Sequence, residues 1–212
     1  MSAPFAIHEV PVTPFMQNCT LWVDEGSGEA IACDVGDAGP VQEKLAALGA
    51  TLKLIVATHG HLDHIGGTAA LKKATGVPFL FPSGDDFWRL GLPEQASMFG
   101  GGEVAIPEVD GDLKEGDAVR LGAIRMEVLH CPGHTPGHVV FHDPVGQRVV
   151  AGDVLFQGSV GRTDFPRGSF PQLEASIRSK LYTLPAETLV HCGHGPTTTI
   201  GEEARCNPFV RP

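Results

Sequence analysis

From Thr51 the chain runs through Leu52, Leu54, Ile55, Val56 and Ala57 in an almost unbroken apolar stretch, which ends at His59 in a run of ionisable residues. A strand this apolar needs cover on both faces, so the sheet that contains it must lie beneath helices or a second sheet. Directly behind it stand His59, His61, Asp63 and His64, four candidate ligands within six residues. A buried strand that delivers its last residues into such a cluster constrains fold and chemistry together.

The flanking sequence supplies the rest of a two-sheet pattern. Residues 5–12, 18–24 and 29–36 read as short strands separated by turn-forming residues, and 39–49 as a helix bounded by glycines. A second helix is expected over 65–75 and a short strand over 78–82. Residues 83–117 are irregular, with one helix expected in 83–92 and surface loop beyond the glycines at 100–102. Strand patterning returns over 118–130, 137–143 and 147–156, followed by a helix over 170–181 and a last strand over 187–192. Neither a repeat nor a flexible linker interrupts the series, so one α/β domain over 1–212 is expected, with two sheets covered by helices.

Composition excludes several function classes. The net charge of −10 argues against a nucleic-acid surface, which needs clustered lysine and arginine. An anionic substrate would need a local basic patch against that field. No leader-like start and no apolar run of membrane-spanning length is visible. The five cysteines, at 19, 33, 131, 192 and 206, form no C-x-x-C pair, which suits a reduced, cytoplasmic chain.

Alternate residues of an extended chain share a side, so His59 and His61 can grip one ion, while Asp63 and His64, where the chain turns, can be aimed at a second. Gly66 and Gly67 allow tight packing into the next helix. Imidazole and carboxylate without thiolate suit zinc, iron or manganese. His134, Asp153 and His194 each follow an expected strand, and loops at one sheet edge converge in space. A shared carboxylate could hold two ions about 3.5–4 Å apart.

The His59–His64 motif, followed in order by His134, Asp153 and His194, resembles the metallo-β-lactamase superfamily. More narrowly the chain resembles its glyoxalase II (hydroxyacylglutathione hydrolase) branch, and within it the short bacterial YcbL-like type. The likeness extends through QNC, THGHLDHIGG, HCPGHTPGHVVF, GDVLF, VGRTDFPRG, GHGPTTTIG and NPF. It implies an αββα sandwich with two divalent ions at its edge, zinc first, with iron or manganese as alternatives. His59, His61 and His134 would bind one ion, Asp63, His64 and His194 the other, and Asp153 would bridge. A shared hydroxide would be the nucleophile, and Asp63 would serve as ligand and orienter. Ending at Pro212, the chain is expected to lack the helical glutathione-binding domain of longer relatives. Asp153 rather than cysteine at the bridge weighs against the B1 β-lactamases.

The implied reaction is hydrolysis of a glutathione thioester, S-lactoylglutathione or a related hydroxyacyl compound. Two other readings compete: a persulfide dioxygenase with a single iron on His59, His134 and Asp153, and a non-catalytic metal-binding module. Arg162 and Arg167, in GRTDFPRG, are the candidate cations for substrate carboxylates, against an internal Arg162–Asp164 pair. His8, His130, His138, His142 and His191 read as structural, with His138 near enough to support His134. Cys131 and Cys192 read as small buried hydrophobes, and Trp88 and Phe99 as either pocket wall or core.

Overall fold

The computed structural model describes residues 5–100 and 102–212. In chain order its strands begin with β1 (Ala6–Val12), β2 (Gln17–Val23) and β3 (Glu29–Cys33). Helix α1 (Ala38–Leu48) follows, capped by the Asp37 carboxylate on Gly39 N–H and closed by Gly49 in the left-handed region. Next come β4 (Thr51–Val56), α2 (Leu62–Ile65), α3 (Thr68–Thr75), β5 (Phe79–Phe81), α4 (Asp86–Leu90), α5 (Leu92–Met98) and β6 (Gly111–Asp112). The second half holds β7 (Ala118–Leu121), β8 (Ile124–His130), β9 (Val139–Asp143), β10 (Arg148–Gly152), β11 (Leu155–Phe156) and β12 (Ser159–Val160). It closes with α6 (Phe170–Ser176), a π-helical turn (Ile177–Leu181), β13 (Leu189–Cys192), β14 (Thr198–Thr199) and α7 (Ile200–Cys206).

Strands β1 to β6 form one six-stranded sheet in sequence order, antiparallel through β3 and parallel from β3 to β6. The other six-stranded sheet runs β14-β13-β10-β9-β8-β7, with β10 and β13 parallel and the remaining neighbours antiparallel. Alternation along each strand divides the core into three layers. Ile31 and Cys33 face the second sheet while Ala30 and Ala32 face helices α1 and α3. On β10, Val150 points between the sheets and Val149 and Ala151 toward α6 and α7. Trp22 and Phe141 meet edge to face at 5.2 Å across the inter-sheet layer. The result is the expected α/β/β/α sandwich with two mixed sheets.

A bulge sharpens the fit of β4. The register slips between Ala30 and Ile31, pairing Ile31 with Leu54 rather than Lys53. Leu52 and Leu54 therefore face opposite layers despite their even spacing, and Lys53 is left outside to meet Glu29 at 3.5 Å.

Several expected elements are subdivided. The helix expected over 65–75 is α3, which starts at Thr68, and the short α2 precedes it across Gly66 and Gly67. The 118–130 stretch is a hairpin turned at Gly122, and the end of 147–156 leaves the sheet to form the small β11–β12 hairpin. α5 forms just after the expected 83–92 helix, in a stretch given no element, with Pro93 in its first turn, where the missing N–H costs nothing.

Gly67 is where the ligand-bearing α2 docks onto the start of α1. A Cβ there would lie 2.6 Å from Ala38 N and 2.7 Å from Asp37 Cα, both backbone. Gly67→Val is expected to lower the urea-unfolding free energy by about 1–3 kcal/mol. An unchanged midpoint would show that this contact does not set the position of α2.

Candidate metal centre

The cluster is built from four connections at one end of the sandwich: β4 to α2, β8 to β9, β10 to β11, and β13 to β14. The sheets are joined there. Asn18 N–H donates to Gly193 O at 2.8 Å, its side-chain amide donates to Cys192 O and Gly195 O, and Val139 N–H donates to Thr58 O at 2.9 Å. Close approach also needs residues without side chains. A Cβ on Gly193 would stand 2.2 Å from Asp153 Oδ1, and one on Gly152, at φ 49°, would meet Thr58 Oγ1 at 2.5 Å.

All seven sequence-selected side chains converge. His59 Nε2 and His134 Nε2 lie 3.1 and 2.9 Å from His61 Nδ1. His194 Nε2 lies 3.1 Å from Asp63 Oδ2, and His64 Nε2 lies 3.9 Å from the same oxygen. Asp153 stands between the two groups: Oδ1 is 3.3 Å from His64 Nε2, and Oδ2 is 3.5 Å from His134 Nε2 and 3.7 Å from His194 Nε2. Ligand atoms about 3 Å apart are what nitrogen bonds of about 2.0–2.1 Å to one ion require.

Hydrogen bonding fixes which nitrogen faces inward in four of the five rings. His134 Nδ1–H donates to Arg162 O at 2.6 Å and His194 Nδ1–H to Phe15 O at 3.2 Å. His64 Nδ1–H donates to the Asp34 carboxylate at 3.0 Å. The Thr58 hydroxyl donates to Asp34 Oδ2 at 2.8 Å, so it accepts from His59 Nδ1–H at 3.0 Å. In these four rings Nδ1 is the donor and Nε2 is the atom aimed at the cluster, a lone pair available for coordination when the ring is neutral. The buried His64 Nε2 and Asp153 Oδ1 have no hydrogen-bond partner. Converging lone pairs and carboxylates repel one another unless a cation lies among them, and this donor set fits divalent metal ions.

The charge balance has the same origin. Burial beside other imidazoles pushes His59 well below its ordinary pKa, and burial with His134 pushes His61 down to about 3. Burial opposes charge on His64 as well, but the Asp153, Asp63 and Asp34 carboxylates outweigh it and raise its pKa. Burial alone would raise Asp153, yet His64, His134 and His194 hold it below the usual carboxylate range.

Three supporting residues were not singled out in the sequence. Asp34, at the end of β3 with φ 62°, also accepts Thr58 N–H at 2.7 Å and so serves both His64 and His59. Asp85 accepts Gly60 N–H at 3.0 Å and Gly137 N–H at 2.6 Å, tying the first ligand loop to the one after β8. Gln95 accepts Leu62 N–H and donates to Trp88 O. Asp34 carried a readable signal, an aspartate closing an apolar strand as Asp153 does; Asp85 and Gln95 sit in the irregular middle and carried none. His138 does support the cluster, though not through His134: its Nε2 accepts Asp153 N–H at 3.0 Å and its ring stacks on His59 at 4.7 Å.

His61, Asp63, His134, Asp153 and His194 open onto a cavity of about 490 Å³. Trp88 and Phe99 both line it, with Trp88 edge-on to His61 at 4.5 Å. Arg162 lines it too, but holds Asp164 through two hydrogen bonds of 2.7 Å and lies 4.0 Å over Phe165. Arg167 is not among the lining residues; its guanidinium sits 3.9 Å over Phe87. Cys131 and Cys192 are buried, and burial lifts both thiols to about 12, which suits inert packing.

Residues 12–194 match the family model of the metallo-beta-lactamase superfamily. The chain is 42% identical to hydroxyacylglutathione hydrolase GloC of Haemophilus influenzae, over 96% of this chain and 97% of that one. Among solved structures it is similar to the BLEG-1 B3 metallo-beta-lactamase (TM-score 0.89, 33% identity, 97% of this chain and 99% of that one). It is similar to TTHA1623 in a di-iron-bound form (TM-score 0.83, 41% identity, 96% and 100% covered). It is also similar to ETHE1 from Myxococcus xanthus (TM-score 0.77, 31% identity, 97% and 84% covered). A metal-suited cluster open to a cavity on this scaffold defines an enzyme of the metallohydrolase class. The chain belongs to the metallo-beta-lactamase superfamily, on its glyoxalase II-like side. Among the described residues no helix is long and apolar enough to cross a membrane.

Asp34→Ala frees Nδ1 of His64 directly and that of His59 through Thr58. It is expected to weaken binding of divalent metal by about 10–100-fold in a chelator competition. Undiminished affinity would show that ring orientation is set elsewhere.

Proposed function

We propose that the protein hydrolyses glutathione thioesters of hydroxy acids, S-lactoylglutathione or a close relative, using two divalent ions, zinc in the first instance. His59, His61 and His134 would hold one ion, Asp63, His64 and His194 the other, with Asp153 shared. The observation that carries this reading is the position of Asp153, within 3.3–3.7 Å of nitrogens from both groups. The likeness to the Haemophilus hydroxyacylglutathione hydrolase and to a di-iron protein supports it. Because the site draws ligands from both sheets, we take the sandwich to be a single domain.

Bound ions supply a lowered pKa for water and a polarised carbonyl. The chain supplies the rest. Asp63 lies at the cavity wall with Oδ2 against His194, where it can orient the attacking water and take its proton. In His59, His64, His134 and His194 the Nδ1–H is committed to an acceptor, which leaves Nε2 as the atom facing the cluster. Trp88 and Phe165 flank His61 and limit solvent entry. The departing thiolate needs no strong acid. Arg162 at the wall is the nearer cation for a glutathione carboxylate, and Arg167 stands one residue beyond the lining Pro166.

A second reading, persulfide oxidation at one iron on His59, His134 and Asp153, draws on the likeness to ETHE1. One experiment separates the two: metal-reconstituted protein is assayed for S-lactoylglutathione cleavage and for oxygen uptake on glutathione persulfide. Cleavage without oxygen uptake is expected, and Asp153→Ala should lose both cleavage and about two bound ions. Oxygen uptake with a single iron would replace the hydrolase reading.

A further inference from the structure

The walls of the cavity are unlike a binding site for a hydrophilic tripeptide thioester alone. Aromatic rings touch the cluster from both flanks. Trp88 and Phe165 stand 4.5 and 5.3 Å from the His61 ring, and Phe156 stands 6.0 Å from His194. At the mouth Phe15 and Phe99 meet edge to face at 5.2 Å. Both are lining residues, yet they are 45% and 53% exposed, and Met98 beside them is 78% exposed. Phe15 is held there by a tight turn in which Thr13 and Met16 both adopt positive φ. Water-exposed aromatic side chains gathered at the lip of a cavity mark a surface that an apolar ligand covers.

Outside the candidate ligands the polar side-chain groups of the wall are few, and of them the Trp88 Nε1–H has no partner. Gln95 is committed to the backbone at Leu62 and Trp88, and Arg162 to Asp164. A scissile carbonyl held at the cluster places its first few acyl atoms against Trp88, Phe165 or Phe156. The carboxylates of glutathione lie many bonds further away and can reach the open mouth. On this wall the 2-hydroxyl of a lactoyl group would meet mainly aromatic carbon.

We propose that the site selects an apolar acyl group, and that its preferred substrates are thioesters whose alkyl or arylalkyl acyl part is larger than lactoyl. The inference rests on the thioester-hydrolase reading and names its substrate class. The reaction is unchanged: water adds to the carbonyl carbon, the acyl carbon–sulfur bond breaks, and a carboxylic acid and a thiol leave.

Two measurements test it. The first compares kcat/KM of the metal-loaded protein for the glutathione thioesters of lactate, butyrate, hexanoate and phenylacetate. The hexanoyl and phenylacetyl compounds should exceed lactoyl by about tenfold or more, through a lower KM. The second compares calorimetric Kd values for S-hexylglutathione and S-methylglutathione, which are not hydrolysed. The hexyl compound should bind about tenfold or more tightly, with a negative heat-capacity change. Combined Phe15→Ser and Phe99→Ser substitutions, at exposed positions where folding is not at stake, should narrow both ratios severalfold. Lactoyl turnover equal to or above the others, with the two thioethers bound alike, overturns the apolar preference and leaves the hydrolase reading intact. Ratios that persist in the doubly substituted protein also overturn it. No turnover of any thioester by the metal-loaded protein overturns the hydrolase reading, and the acyl preference with it.

Discussion

A carboxylate buried among imidazoles is the constraint on which this structure turns. Asp153 is 8% exposed, and the side-chain groups facing it are nitrogens of His64, His134 and His194. Placing an anion there costs several kcal/mol in lost hydration unless cations surround it. His64, His134 and His194 supply part of that counterweight, but with Nδ1 committed to Asp34, Arg162 and Phe15 these rings also aim Nε2 at the cluster, where it can coordinate a cation. Divalent ions satisfy both demands at once: they neutralise the carboxylates and accept the lone pairs.

Everything around the cluster serves to hold those lone pairs in place. Asp34 reaches one ring directly and another through Thr58, and backbone carbonyls of Phe15 and Arg162 orient two more. These partners come from both sheets and from loops far apart in sequence, so the site exists only when the sandwich is assembled. The inter-sheet layer of Trp22, Ile31, Val56, Val128 and Phe141 thus bears on chemistry as well as stability. The glycines at 152 and 193 let backbone segments approach where any side chain would separate the strands.

Much of this was legible in the sequence, for identifiable reasons. Thr51–Val56 announced itself as a doubly covered strand because its apolar residues do not alternate, and the seven polar residues were found because they cluster or stand singly just after strands. Element boundaries were less legible. The 118–130 hairpin was hidden because Gly122 interrupts a run whose alternation continues on both sides, and the helix break at Gly66 and Gly67 because the apolar period hardly changes. Strand order was not legible, since β4's neighbours are chosen by inter-sheet packing. Among substrate residues the signal was weakest. Arg162 read equally as a substrate cation or as the partner of Asp164; its side chain holds Asp164, and its backbone carbonyl holds His134. Asp85 lies in an irregular segment with no periodicity to mark it.

Two ions sharing one carboxylate are the core of the proposed site, and anomalous diffraction from crystals of the metal-loaded protein tests that directly. Two peaks about 3.5–4 Å apart are predicted, one beside His59, His61 and His134, the other beside Asp63, His64 and His194, with Asp153 reaching both. A single peak beside His59, His134 and Asp153, persisting at saturating metal, would contradict it.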